Sequence, residues 1–440
     1  MQTLEALRSG HLKGSKRLSL AAELSQFPVE IFELADSLEI LDLSHNQLTS
    51  LPDDFGRLKK LRIAFFSSNN FKSIPAVLSR CPNLTMVGFK SNWITEIAEN
   101  ALPPSIRWLI LTDNRLEQLP ATLGRLSRLQ KLMLAGNQLR SLPDSMAACQ
   151  NLELVRLSAN QLPALPSWLF DLPRLSWLAY AGNPCCAMLS PSTPPLTEID
   201  WADLSIQSTL GEGASGIIYK GTWVTASTQL VDVAIKVFKG PVTSDGLPVD
   251  EMSACIAAGI HPNLVKLLGQ VIHHPEQKAG LVFAFVPPAY RVLGHPPSLD
   301  SCTRDTYSPS TTFSLAVIVQ IARGIAAAAA HLQSRGIVHG DLYAHNILFN
   351  AAGESLLGDF GAASLYPDGI ASSGRSLESL EVRAFGCLLE DLLEHCPLEE
   401  TQLQTDLRAQ LHSLQHDCMN PIPSMRPPFA QINTLLASLA

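Results

Sequence analysis

Charge is scarce in this sequence, and several common signatures are missing. Only 16 % of the 440 residues are Asp, Glu, Lys or Arg, and the formal net charge is −8. No basic run offers a surface that would release counterions from a phosphate backbone, which argues against nucleic acid as the main partner. The opening Met1-Gln2-Thr3-Leu4-Glu5 lacks a basic-then-apolar pattern and has no Gly where myristoylation needs one. Neither a secretory signal nor that anchor is expected. Nine cysteines occur without a CxxC pair, and Cys185 and Cys186 are adjacent. Reduced core thiols in a cytoplasmic protein are therefore expected, rather than a disulfide framework. The most apolar stretch, Leu315 to Leu332, is interrupted by Gln320 and Arg323. It reads as a buried helix rather than a membrane span.

What is present is apolar and periodic. Apolar residues make up 46 % of a chain too long for one ordinary core, so two domains, or a repeat array plus one domain, are expected. From Leu38 a unit of roughly 22 residues recurs, reading Leu38, Leu41, Leu43, Asn46, Leu48, Leu51, Pro52. Further units begin at Leu61, Leu84, Ile106, Leu129 and Leu152, with a partial one at Leu175 and an altered, cap-like one around Leu18, Leu20, Phe27 and Pro28. This spacing is similar to that of leucine-rich repeats and predicts an α/β solenoid over residues 1–189. Each LxL forms a short parallel strand, and an Asn column (Asn46, Asn69, Asn92, Asn114, Asn137, Asn160, Asn183) satisfies backbone groups at the turns. Those Asn are structural.

Side chains between the core leucines point out of the concave sheet. One column reads Ile40, Ile63, Met86, Trp108, Lys131, Leu154, Trp177, and the next Asp42, Phe65, Gly88, Ile110, Met133, Arg156, Ala179. The apolar members, Ile40, Ile63, Phe65, Met86, Trp108, Ile110, Met133, Leu154 and Trp177, are the candidate partner-binding face. An external protein or the second half of this chain would cover it. A stiff Pro/Ser linker over residues 190–200 follows, including Ser190-Pro191-Ser192-Thr193-Pro194-Pro195.

Residues 201–440 carry ordered motifs. Gly211-Glu212-Gly213-Ala214-Ser215-Gly216-Ile217-Ile218 is a glycine-rich loop, followed by Val233-Ala234-Ile235-Lys236. An acidic helix precedes His261-Pro262-Asn263 and carries Glu251, with Asp250 as the alternative partner for the lysine. A strand Leu281 to Val286 comes next, and then a long Ala-rich helix over 314–337. Beyond it stand His339-Gly340-Asp341-Leu342-Tyr343-Ala344-His345-Asn346 and Gly358-Asp359-Phe360-Gly361. In this order the motifs resemble the eukaryotic protein-kinase superfamily, most closely its tyrosine-kinase-like branch. The resemblance implies an α+β bilobal fold binding ATP and Mg2+.

It also implies roles. Gly211, Gly213, Gly216 and Ile218 would cover the nucleotide, Ala284 and Val286 would meet the adenine, and Lys236 with Glu251 would clamp its phosphates. Asn346 and Asp359 would hold the metal, and Asp341 would take the acceptor proton. Phosphorylation of a protein hydroxyl is the leading expectation, on Ser or Thr rather than Tyr, or with dual specificity. A nucleotide-binding scaffold without turnover is the alternative, and a pure interaction protein the third reading. Gly340 stands where the family usually has Arg, and Tyr343 and His345 where it has a basic residue. The segment after Asp359 is short and lacks an APE motif, so Arg426 of Arg426-Pro427-Pro428-Phe429 loses its usual glutamate partner. These departures together predict an enzyme not switched by phosphorylation of that segment.

Overall fold

The computed structural model describes residues 2–186, 196–213, 215–240, 243, 245–366, 377–397 and 401–439. Residues 190–195 of the expected linker lie outside them. The chain separates into two compact units, Met1–Leu172 with Asn183–Cys185, and Pro173–Gly182 with Cys186–Ala440.

In the first unit, three-residue strands from Arg17–Ser19 to Leu154–Arg156 pair in parallel, each with the next. Alternation explains their brevity: the central residue of each, such as Leu41, Leu109 or Leu132, is fully buried, while its neighbours face away. Prolines end the strand-bearing arc. Pro52, Pro75, Pro120, Pro143 and Pro166 each precede a short 3-10 helix, with φ between −62° and −69°, the value their rings impose anyway.

The Asn column closes the other corner. Asn114 accepts from the Ile94 amide at 3.0 Å and donates to the carbonyls of Phe89 and Leu111 at 2.8 and 3.1 Å. The same pattern recurs at Asn46, Asn69, Asn92, Asn137 and Asn160. Periodicity did not reveal one feature of this corner. The residue before each Asn is left-handed, with φ of 59° at His45, 53° at Ser68, 54° at Ser91, 58° at Asp113 and 54° at Ala159. That conformation costs a non-glycine residue about 1 kcal/mol or more, and the buried Asn bonds hold it in place.

The apolar columns are only partly exposed. Ile63, Met86 and Leu154 are buried, and Ile40, Phe65, Trp108, Ile110 and Met133 are half-buried. Equivalent residues on adjacent strands stand about 4.8 Å apart, so large side chains cover one another. Phe65 and Ile110 close over Gly88, where an added Cβ would meet Phe65 at 2.9 Å. Lys131 lies over the Trp108 ring at 4.1 Å.

The second unit is bilobal. Its mixed sheet has the order Leu204–Glu212, Gly216–Val224, Leu230–Phe238, Gly280–Ala284, Leu267–Ile272, Glu198–Asp200. The last strand draws on residues that the sequence pattern counts as linker. Ile199, Val233, Ile235, Val237, Val271 and Val282 form the core beneath the sheet. The second lobe is helical, with helices Leu315–Ser334, Glu378–Glu394, Gln402–Cys418 and Phe429–Ser438. Helix Leu315–Ser334 is shorter than expected because the chain turns at Gly336, φ 66°, into strand Ile337–Val338. By length and composition it is apolar enough to cross a membrane. Here Ile318, Ile321, Ile325 and Leu332 are buried, and the helix packs on Phe429–Ser438. Cys81, Cys149, Cys255 and Cys418 are buried thiols.

The ladder yields a measurable cost. Asn114→Ala strands the buried Ile94 amide, worth about 1–3 kcal/mol when unpaired, and takes one of two Asn donors from each of the Phe89 and Leu111 carbonyls, which Asn92 and Asn137 still reach. Urea denaturation should show a loss of about 2–4 kcal/mol. Asn83→Ala, which removes one exposed bond to the Lys59 carbonyl, should cost under about 0.5 kcal/mol.

Candidate active site

Strand Leu230–Phe238 places Val233, Ile235 and Val237 in the core, yet Lys236 between them is also buried, at 6 % exposure. An ammonium there must be paired. Its Nζ meets Glu251 Oε1 at 2.5 Å and Asp359 Oδ1 at 3.3 Å. Burial opposes the charge on Lys236, but the fields of Asp359 and Glu251 outweigh it and raise its pKa above the ordinary value.

Glu251 lies in the first turn of helix Pro248–Ala258, whose Pro248 needs no amide partner. Of the two acidic candidates, Glu251 is the one that reaches the lysine. Asp250 is aimed elsewhere, and burial pushes its carboxyl up to about 6.

Asp359 has φ 52° and accepts from the Gly361 amide at 3.2 Å. Burial alone would raise its carboxyl, but Lys236 and that amide hold it below the usual range. Its side chain is 48 % exposed, unlike its two partners. Gly358 donates to the Asn346 carbonyl at 2.9 Å, which brings Asn346 beside it. Asn346 Nδ2 in turn donates to the Asp341 carbonyl at 2.9 Å and to its Oδ2 at 2.8 Å, fixing that carboxylate. His339 bonds the Gly358 carbonyl at 3.0 Å.

Asp359 and Asn346 offer hard oxygen donors, and among the described residues no cluster of three or more His, Cys, Asp or Glu surrounds them. Such a sparse set fits magnesium, which keeps waters and takes phosphate oxygens rather than a full protein cage.

The glycine-rich loop divides in two. Gly211 and Gly213 have open space where a Cβ would point, room for a ligand to approach the backbone. A Cβ on Gly216 would meet the Val237 carbonyl at 2.6 Å, so strand packing already demands glycine there. Ile218 is 37 % exposed. At the other wall, the Ala284 amide is spent on the Lys266 carbonyl at 2.9 Å. Val286 makes no such backbone bond among the described residues.

The catalytic-loop departures have partners that spacing did not announce. His345 Nδ1 lies 2.7 Å from Asp305 Oδ1, and its amide donates to Oδ2 at 3.1 Å. Burial works against its charge, but Asp305, Asp341 and Asp359 raise its pKa. Gly340 donates its amide to Glu381 Oε1 at 2.9 Å. Burial pushes the Glu381 carboxyl up to about 7 while the amides of Gly340 and His339 pull it down. Arg426 has no carboxylate partner among the described residues and donates to the carbonyls of Asn420, Ser379 and Pro173 at 2.9, 2.8 and 2.8 Å. Pro173 and Asp305 sit far from these motifs in sequence, and no spacing rule points to them.

Comparison with known proteins agrees with this geometry. Residues 204–382 match the family model for protein tyrosine and serine/threonine kinases. Residues 36–94, 104–162 and 127–184 match that for leucine rich repeats. Megakaryocyte-associated tyrosine-protein kinase of Mus musculus is 26 % identical over 265 residues, 53 % of this chain and 48 % of that protein. Receptor tyrosine-protein kinase erbB-4 of Mus musculus is 33 % identical over 189 residues, 40 % of this chain and 13 % of the receptor. Leucine-rich repeat and WD repeat-containing protein 1 of Xenopus tropicalis is 35 % identical over 109 residues, 23 % of this chain and 16 % of its own. The chain thus spans about half the length, or less, of the curated relatives it matches.

The buried ion pair makes a prediction of its own. Lys236→Met leaves Glu251 without its nearest counter-charge and should cost about 3 kcal/mol in urea denaturation. Adding Glu251→Leu should recover most of that loss, as the coupling in a double-mutant cycle.

Proposed function

Taking the chain as leucine-rich repeats joined to a protein kinase domain, we propose that it transfers the γ-phosphoryl group of ATP to a hydroxyl on a protein brought to it by the repeats. The observation that carries this reading is the convergence of Lys236, Glu251 and Asp359, within hydrogen-bonding distance of one ammonium, beside an Asp341 carboxylate oriented by Asn346.

In this reading Lys236, steadied by Glu251, neutralises the α- and β-phosphates, with Gly211 and Gly213 closing over them. Asp359 and Asn346 would hold magnesium, which when bound spreads the charge that builds on the phosphates. Asp341 accepts the hydroxyl proton as the acceptor oxygen bonds to the γ-phosphorus and the bridge to the β-phosphate breaks, releasing ADP. His345, held by Asp305, occupies the family's basic place beside Asn346. Positioning and neutralisation carry most of such a reaction.

Dual specificity is the acceptor reading we favour. Sequence resemblance leans to Ser or Thr, whereas named relatives are tyrosine kinases. For the repeats, the half-buried Trp108, Ile110 and Met133 support a protein-binding face. Buried thiols such as Cys81, Cys149 and Cys418, in a chain without a CxxC pair, support a cytoplasmic location.

Radiolabelled Mg-ATP with wild type and Asp341→Asn tests the proposal. Transfer should fall about 10²–10⁴-fold while Mg-ATP binding by calorimetry persists. Phosphoamino-acid analysis of the wild-type product should show Tyr together with Ser or Thr. Equal labelling by both proteins would overturn the assignment of Asp341. Binding without turnover in wild type would replace the enzyme by a nucleotide-binding scaffold.

A further inference from the structure

Residues Pro173–Gly182 continue the repeat pattern in sequence, yet they belong to the compact unit that contains the kinase domain. Their strand Trp177–Ala179 is buried throughout. Five contacts tie this segment to the kinase-like motifs, and four of them end on places where those motifs depart from the family.

Trp177, 1 % exposed, stacks on Tyr343 with ring centroids 4.3 Å apart and planes 9° apart. Its Nε1 donates to the Leu342 carbonyl at 3.1 Å. Tyr343 in turn lies 5.0 Å from the His345 ring, so the aromatic contact runs along the loop between Asp341 and Asn346. The Leu178 carbonyl passes under Gly340 so closely that a Cβ there would meet it at 2.5 Å, and Gly340 has φ 70°. The family's usual arginine has no room at that position. The Tyr180 amide donates to Ser364 Oγ at 3.0 Å, in the shortened segment after Asp359. Arg426 donates to the Pro173 carbonyl, where the absent APE glutamate would have served.

We propose that Pro173–Gly182 is a built-in brace of the catalytic loop, with Trp177 as its positioning residue, holding Asp341 and Asn346 in working geometry without phosphorylation of the segment after Asp359. The inference rests on the kinase reading for its consequence in rate, but not for its consequence in loop order. Trp177 touches no reacting atom. It acts through Leu342 and Tyr343, which flank the proposed base and metal-binding amide.

The full chain, with Trp177→Ala and Trp177→Phe, tests this. Trp177→Ala should lower kcat about tenfold or more while KM for ATP and Mg-ATP affinity stay within about twofold. Hydrogen exchange of amides 340–346 should accelerate, with exchange in sheet strand Leu230–Phe238 unchanged. Trp177→Phe keeps the stack and loses the indole donor, so both effects should be smaller. A folded Trp177→Ala with wild-type kcat and wild-type loop exchange overturns the brace. If Trp177→Ala does not fold, the same two readouts on Trp177→Phe decide: unchanged rate and exchange overturn the proposal, and a kcat-selective loss with faster loop exchange supports it. Should wild type bind Mg-ATP without transferring phosphate, the kinase reading fails alone, and loop exchange still judges the brace.

Discussion

A buried ammonium held between two carboxylates governs how the second unit is built. Lys236 sits in a strand whose neighbours form the core, and a charge in that place is tolerable only with its counter-charges in contact. One carboxylate arrives on helix Pro248–Ala258 and the other from the loop that ends in Gly361. A carboxylate 15 residues on from the lysine and another 123 residues on are thereby fixed within hydrogen-bonding reach of its ammonium. Glu251 is almost wholly buried while the Asp359 side chain is half-exposed. One acid is thus committed to the lysine, and the other remains open to the cleft.

The catalytic loop answers to a second constraint. It lacks the Arg and the basic residue that the resembled family usually carries there, with Gly340, Tyr343 and His345 in their places. The loop is held from other directions: Glu381 takes the Gly340 amide, Asp305 takes His345, and Trp177 covers Tyr343. Departures that look like decay in a motif table become a consistent set. Gly340 is small because a carbonyl lies against it, and Tyr343 is flat because an indole does. Arg426 donates to three carbonyls.

In the repeats the same economy operates on the backbone. Each turn asks one residue to adopt a left-handed conformation, met by Gly at 136 and 182 and by His, Ser, Asp or Ala elsewhere. The following Asn makes three buried bonds that outweigh the strain. The regular Asn column is visible in one dimension. The strain beside it is not, because His45, Ser68, Asp113 and Ala159 share no side-chain chemistry.

What the sequence determined by itself was whatever local spacing encodes. The solenoid follows from leucine periodicity, and the kinase motifs follow from short runs whose members act together: glycine loop, lysine strand, catalytic loop, Asp359 with its glycine. Pattern reading also named Lys236, Glu251 and Asp359, leaving only Asp250 as a competitor. Tertiary structure decided the rest. Whether an apolar column faces water depends on neighbours one strand away, and these cover Ile63 and Met86. Which unit owns residues 173–182 depends on contacts with Leu342, Tyr343 and Arg426, more than 150 residues distant in the case of Trp177. Periodicity measures only what recurs along the chain. A single aromatic stack or a carbonyl beneath a glycine recurs nowhere, so only the folded arrangement could disclose them.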